Sequence, residues 1–124
     1  MRRRSPTLTP QELEIMKAVW ARGEATVRDC YEDLLAQRRI AYTTVMTMMN
    51  VLERKGHLVK TAAGRSFRYR PARPQRQVLG SMVREFVKRV FGGAAEPLLV
   101  HLVEERQISP DELDAIARRI KAKR

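Results

Sequence analysis

The sequence contains a single cysteine, Cys30, among 124 residues, which excludes an intramolecular disulfide and is typical of a protein from a reducing compartment. Long hydrophobic runs are also missing. The longest, from Pro97 to Val103, is interrupted by His101 and is far shorter than the roughly 20 apolar residues of a membrane-spanning helix. The opening residues, MRRRSPTL, carry charge but no apolar run follows them, unlike a signal peptide. We therefore expect a soluble, cytoplasmic protein.

Patterns that support catalysis or metal binding are absent from the sequence. There is no glycine-rich phosphate loop, no set of serine, histidine and aspartate within plausible reach, and no cluster of metal-binding side chains. The two histidines, His57 and His101, are isolated from each other and from Cys30. We predict that the protein is not an enzyme and has no catalytic residues, cofactor or metal site.

Acidic residues are few compared with basic ones. The chain has 25 Lys and Arg against 14 Asp and Glu, a formal net charge of +11. Residues 1–73 hold 15 basic and 7 acidic residues, whereas residues 74–124 hold 10 and 7. A short basic chain most often binds a polyanion such as DNA, RNA or an anionic membrane. We expect that contact to lie in the first part of the chain.

Two helices are predicted near the start of the chain. Thr9 suits an N-cap, Pro10 the first helical position, and Glu12 the third, which together form a capping box. Thr26 and Asp29 repeat this spacing and begin the second helix. Apolar side chains at helical spacing predict the buried faces, which are Leu13, Met16, Val19 and Trp20 in the first helix and Val27, Cys30, Tyr31, Leu34 and Leu35 in the second.

A third helix is predicted from Ala41 to Gly56, and its two faces differ in character. Val45, Met48, Met49 and Leu52 fall at helical spacing and form an apolar face. The opposite face carries short side chains that can reach base edges in a DNA major groove. This outer face consists of Thr43, Thr44, Met46, Thr47, Asn50, Val51 and Arg54.

After the third helix the apolar period changes from 3.6 to 2, which predicts a β-hairpin. Residues 57–61 form the first strand, Ala63 and Gly64 the turn, and residues 65–70 the return strand. Phe67 and Tyr69 share the face that is expected to cover the helices, because a lone hairpin is not stable in water. Three helices followed by a basic hairpin is the order of a winged helix, in which the third helix enters the major groove.

Residues 74–124 are predicted to form a separate helical region. About fifty residues hide too little surface to bury the apolar side chains present here, so a symmetric dimer is expected. The residues predicted at the dimer interface are Val78, Leu79, Met82, Val83, Phe86, Val90, Phe91, Leu98, Leu99, Leu102, Leu113, Ile116 and Ile120.

Four segments, LTPQELEIMKAVW, AYTTVMTMMNVLERKG, GRSFRYRP and FGG to ISPDEL, make the chain similar to the penicillinase-repressor (BlaI/MecI/CopY) family of winged-helix repressors. The resemblance runs from about Leu8 to Ile120. It implies a homodimer on a palindromic operator that controls β-lactamase or other antibiotic- and stress-response genes. It also implies release through cleavage triggered by a membrane sensor-protease. His101 and Leu102 occupy the positions of the Asn–Phe pair that is cut in the best-known members.

We therefore predict a mainly α-helical fold with a small β-hairpin, divided into a disordered basic arm (1–7), a winged helix-turn-helix DNA-binding domain (8–73) and a C-terminal helical dimerisation domain (74–124). The predicted function is that of a sequence-specific repressor, in which Asn50 pairs with adenine and the arginines hold phosphates. A winged-helix module that binds another protein, or a sequence-nonspecific nucleic-acid-binding protein, remains an alternative. The predicted DNA-contact residues are Thr43, Thr44, Met46, Thr47, Asn50, Arg54, Arg65, Arg68 and Arg70.

Overall fold

A computed structural model gives the structure of residues 8–123. The predicted arm, with Arg2, Arg3 and Arg4, lies outside these described residues. Within them, the predicted mainly helical fold with a small hairpin is confirmed. The elements in chain order are α1 (Pro10–Arg22), α2 (Val27–Leu35), α3 (Tyr42–Arg54), β1 (Leu58–Ala63), β2 (Ser66–Pro71), α4 (Gln75–Phe91), α5 (Ala95–Glu104) and α6 (Pro110–Ala122).

The predicted helix starts are confirmed by their hydrogen bonds. At α1, the Thr9 hydroxyl accepts from the Glu12 amide at 3.1 Å, and the Glu12 carboxylate accepts from the Thr9 amide at 3.0 Å. Thr26 and Asp29 form the same reciprocal pair at the start of α2, and α6 begins in the same way. These side chains satisfy backbone donors that have no partner within the helix, and so they fix where each helix begins.

Contacts divide the chain into two compact units, one ending at Met82 and the other beginning at Val83. The first unit is built around an apolar core to which α1, α2, α3 and the hairpin all contribute. Leu35, predicted to face inward, is instead 44% exposed, because α2 ends there and its core contacts stop one position earlier at Leu34. The buried apolar residues are Leu8, Ile15, Met16, Val19, Ala25, Cys30, Leu34, Val45, Met49, Leu52, Leu58, Tyr69 and Val78.

The hairpin is longer than predicted and its turn lies one residue later. Ala63 pairs with Ser66, so the turn residues are Gly64 and Arg65. Gly64 has a φ of 66°, which suits the first central position of a tight hairpin turn, where glycine is favoured. Tyr69 also exchanges two backbone hydrogen bonds with Ala25, of 2.8 and 2.9 Å, and this bridge attaches the hairpin to the segment before α2.

The second unit comprises the end of α4 together with α5 and α6. None of the described residues 83–123 is buried within this unit, although many are apolar. The start of α4 belongs to the first unit, where Val78 is buried in the core and Met82 packs against it. Across residues 8–123, no helix has both the length and the apolar character to cross a membrane.

Candidate nucleic-acid interface

The threonine-rich side of α3 faces outward. Val45, Met49 and Leu52 are fully buried, and the helical spacing therefore directs the intervening side chains away from the core. The exposed side chains on this surface are Thr43, Thr44, Met46, Thr47 and Arg54. Short donors and acceptors with methyl groups can approach base edges closely without holding the helix away from the groove. This surface has the composition and the exposure of a DNA-reading face.

The beginning of α3 is fixed by contacts with α2. The ring of Tyr42 packs edge-on against Tyr31 with 5.4 Å between centroids, and the Arg28 guanidinium lies 5.4 Å from the Tyr42 ring. Edge-to-face rings and a cation over a ring face are both favourable electrostatic arrangements. These contacts orient the first turn of α3, which carries Thr43 and Thr44.

The end of α3 is fixed by contacts with α1. The Lys55 ammonium donates to both carboxylate oxygens of Glu12, each at 3.0 Å, and Glu12 is buried. Burial alone raises the pKa of Glu12, but the Thr9 amide and Lys55 more than offset this effect and hold the pKa below its ordinary value. The same carboxylate therefore completes the cap of α1 and attaches α3 to it.

Asn50, on the last exposed turn of α3, is half-buried and contacts the hairpin. Its Oδ1 accepts a hydrogen bond from the Tyr69 hydroxyl at 3.1 Å and another from the Lys60 ammonium at 3.2 Å. The predicted pairing of Asn50 with adenine requires that same oxygen. The structure thus places this residue between the exposed threonine side of α3 and the hairpin.

The hairpin presents several basic side chains and no acidic one. Arg65, Arg68 and Arg70 are exposed, and no acidic residue lies between Lys60 and Arg73. Phe67, predicted to cover the helices, is 46% exposed. The centre of its ring lies 4.4 Å from the Lys60 ammonium, and of the two aromatic residues only Tyr69 is buried.

A cleft of about 500 Å³ lies between the start of α2, the exposed face of α3 and the hairpin. No carboxylate is among its lining residues, while three cations are, which suits a phosphate-bearing ligand. The cleft therefore joins the reading face of α3 to the basic hairpin. Its lining residues are Thr26, Val27, Arg28, Tyr42, Met46, Asn50, Lys60, Arg65, Ser66, Phe67 and Tyr69.

Cys30 and Trp20 have structural positions in the first unit. Cys30 is fully buried in the core, and burial raises the pKa of its thiol to about 12, so it is held as an unreactive thiol. The Trp20 indole N–H donates to the Arg73 carbonyl at 3.2 Å and attaches the segment after the hairpin to α1. The described residues include no group of three or more potential metal ligands placed to share an ion.

Three features of the site were not predicted from the sequence. They are the Glu12–Lys55 ion pair, the contact of Lys60 with Asn50, and the hydrogen bond from the Tyr69 hydroxyl. Each joins residues from different elements, and residue spacing within one element carries no signal of such contacts. The contact of Lys60 could have been predicted from its position opposite Tyr69 on the paired strand. That prediction requires the correct register of the hairpin.

Comparisons with known proteins identify the family to which the chain belongs. The family model described as penicillinase repressor matches residues 8–122. The transcriptional regulator BlaI of Mycobacterium tuberculosis is 37% identical over 109 residues, which cover 86% of this chain and 78% of that protein. The penicillinase repressor of Bacillus licheniformis is 24% identical over 111 residues, covering 90% and 87% of the two chains.

A solved structure bound to DNA is also similar. This is the monomeric form of Bacillus licheniformis BlaI in complex with the blaP half-operator, which matches with a TM-score of 0.50 and 27% identity. The match covers 60% of this chain and 90% of that one.

Proposed function

Because the chain belongs to the penicillinase repressor family of DNA-binding transcriptional repressors, we propose that it acts as a homodimer on a palindromic operator. The observation that carries the proposal is the outward-facing threonine side of α3, which shares a cleft with a basic hairpin. The family is one of transcriptional repressors rather than enzymes.

In this proposal the two parts of the interface have different tasks. The exposed side chains of α3 contact base edges, and the methyl groups of Met46 and the threonines meet thymine methyls. The arginines hold phosphates, which positions the protein on the duplex without reading its sequence. The base-contacting residues are Thr43, Thr44, Met46 and Thr47, and the phosphate-contacting residues are Arg54, Arg65, Arg68 and Arg70.

The second unit supports the proposed dimer. With none of residues 83–123 buried, its apolar side chains remain in water unless a partner covers them. Val90 and Ile120 are 51% and 57% exposed, and an apolar groove of about 450 Å³ runs between α5 and α6. The proposed interface is Leu79, Val83, Phe86, Val90, Phe91, Leu98, Leu99, Leu102, Leu113, Ile116 and Ile120. Val78 and Met82 are left out because they pack in the core of the first unit.

The regulated genes and the inducing partner are proposed from the family. Antibiotic-resistance genes are the proposed targets, and a membrane sensor-protease is the proposed inducing partner. His101 and Leu102 lie within α5, where the His101 carbonyl accepts from the Glu105 amide at 2.8 Å. Cleavage between them therefore requires local unfolding of α5, since helical backbone must open before a protease can bind it.

The proposal is tested by selecting duplexes from fragmented genomic DNA with the purified full-length chain. We expect an enriched palindrome. If the dimer neutralises on the order of six phosphates, log K falls against log salt concentration with a slope of about −5. A slope near zero would overturn DNA binding. Equal affinity for the enriched and a random duplex would instead identify a sequence-nonspecific protein, and recovery of no palindrome would favour a protein-binding module.

A further inference from the structure

The junction between α3 and the hairpin depends on one side-chain oxygen. Asn50 Oδ1 accepts a hydrogen bond from the Tyr69 hydroxyl at 3.1 Å and another from the Lys60 ammonium at 3.2 Å. An ammonium group has donors only, so the Asn50 atom that faces it must be the oxygen. The tyrosine hydroxyl must then also donate to that oxygen. Both lone pairs of the amide carbonyl are occupied in this arrangement.

The two donors come from paired strands. Lys60 on β1 lies directly opposite Tyr69 on β2, and directly paired side chains share one face of the sheet. Phe67, the diagonal neighbour, places its ring 4.4 Å from the same ammonium. The Asn50 oxygen therefore contacts both strands of the hairpin and limits their movement relative to α3.

Tyr69 connects this junction to the rest of the winged helix. Its side chain is 2% exposed, and its backbone exchanges two hydrogen bonds with Ala25 beside α2. Burial raises the pKa of the Tyr69 phenol, so the hydroxyl keeps its proton and remains a donor at neutral pH. The junction thus joins the hairpin to both helices of the helix-turn-helix.

Recognition of adenine by asparagine needs the side-chain oxygen to accept from the base while the nitrogen donates to it. Here that oxygen already serves two donors, and one of them would have to leave. The departing group would be the buried Tyr69 hydroxyl, which is costly to leave without a partner, or the half-buried Lys60 ammonium, which would lose its contact with the amide oxygen. The contacts seen in the protein therefore oppose the base-reading role predicted for Asn50.

We propose that Asn50 is a positioning residue that fixes the basic hairpin relative to α3, and that it does not read a base. Through it, the arginines of the hairpin and the threonines of α3 meet the same duplex in a fixed register. This inference rests on the proposed DNA-binding function and assigns base reading to Thr43, Thr44, Met46 and Thr47.

The experiment compares Tyr69→Phe, Asn50→Ala and the double variant with the parent chain. The probes are the duplex enriched by the parent and a set of its single-base-pair variants. Tyr69→Phe removes only one hydroxyl, from a residue that lines the cleft but is just 2% exposed. Tyr31→Phe is the matched control, because it removes a hydroxyl outside the junction and keeps the ring that packs against Tyr42. Thermal unfolding of each variant shows that it is folded.

A positioning role gives a distinct set of results. Tyr69→Phe and Asn50→Ala each weaken binding to every duplex by about 3- to 10-fold, the scale of one hydrogen bond. The ranking of the duplex variants stays the same, and the double variant is no weaker than the weaker single one. The salt slope becomes shallower because the hairpin loses phosphate contacts, whereas Tyr31→Phe changes none of these quantities.

Two results would overturn the inference. One is that Asn50→Ala loses its preference for the parent base pair at a single position of the duplex, while Tyr69→Phe binds all duplexes like the parent chain. The other is measured on the free protein. There the inference predicts that Tyr69→Phe shifts the NMR signals of the Asn50 side-chain amide and speeds hydrogen exchange in the hairpin. Unchanged signals and exchange would show that the junction has no effect, even if the parent selects no duplex and the proposed function itself fails.

Discussion

The two units of this chain differ in how far they bury their apolar side chains. The first encloses thirteen buried apolar residues, from Leu8 to Val78, in a core that all its elements share. In the second, none of the described residues 83–123 is buried, although α4, α5 and α6 carry regular apolar stripes. A helix gains most of its stability from packing such a stripe against something.

The two units therefore differ in whether they need a partner to bury their apolar side chains. The first unit has its core within itself and presents a polar, basic surface for a ligand. The second leaves its apolar surface exposed, which favours association with a second copy in which each stripe finds a partner. The proposed DNA binding and the proposed dimer assembly should therefore be separable by mutation.

Val90→Glu tests this separation with the largest expected effect. A charge within the exposed apolar stripe of α4 should prevent dimer formation, so the chain becomes a monomer in sedimentation analysis. Each protomer then binds one half-site alone, and the affinity for the full operator falls by about 100-fold or more. The first unit should unfold at the parent's denaturant concentration.

Lys88→Glu is the control for charge, because it also places a glutamate on α4 but outside the apolar stripe. It should remain dimeric. A dimeric Val90→Glu chain, or an equal loss of operator binding in both variants, would contradict the proposed interface.

Ile15→Ala tests the self-contained core of the first unit. Ile15 is fully buried, and its truncation should lower the free energy of unfolding by about 2–5 kcal/mol. Urea titration followed by fluorescence reports this loss directly, because Trp20 is the only tryptophan and lies in the first unit. The loss should not depend on protein concentration. The loss in Leu99→Ala, from the second unit, should depend on protein concentration, and it is followed by circular dichroism because Trp20 does not report on that unit.

Glu12→Gln tests the attachment of α3 to α1. The folded-state pKa of Glu12 lies below its ordinary value near 4.5. Its stabilising contribution is therefore complete above that value and is lost as the pH falls through the folded-state pKa. At pH 7 the variant should be roughly 1.5–3 kcal/mol less stable than the parent, a range typical of hydrogen bonds to a charged group.

The matched control for this prediction is Glu14→Gln. Glu14 also pairs with a cation, Arg38 in the connection between α2 and α3, at 3.0 Å, but the Glu14 side chain is 41% exposed. Exposed pairs contribute about 0–1 kcal/mol, so this variant should change little. The difference between parent and Glu12→Gln should shrink as the pH falls below the ordinary carboxyl pKa and disappear once it lies below the lowered folded-state pKa of Glu12. A difference that persists there would show that packing, not charge, is responsible.

Arg68→Ala should have the smallest effect and should act on all duplexes alike. Arg68 is exposed on β2, and its loss removes one phosphate contact per protomer, or two per dimer. We expect the salt slope to become shallower by about 2, with the sequence preference unchanged. Arg118→Ala, in α6 of the second unit, should leave the slope unaltered. An equal change of the salt slope in Arg68→Ala and Arg118→Ala would contradict the proposal that the phosphate contacts lie in the first unit.

Local signals in the sequence predicted most of the elements. The capping pairs at Thr9 and Thr26 placed helix starts because they depend on residues only three positions apart. The threonine side of α3 followed from the spacing of the apolar residues opposite it. The hairpin register did not follow, since a turn at Ala63 and Gly64 would set Lys60 opposite Phe67 instead of Tyr69.

By itself, the sequence determined which face of each helix is apolar, where the capped helices begin, and which part of the chain carries the positive charge. These properties depend on residues close together in the chain. Only the tertiary structure decided that Asn50 is held by Lys60 and Tyr69, that Glu12 holds Lys55, and that Val78 belongs to the core of the first unit. Those contacts join separate elements, and they exist only once packing and strand register have brought distant residues within hydrogen-bonding range.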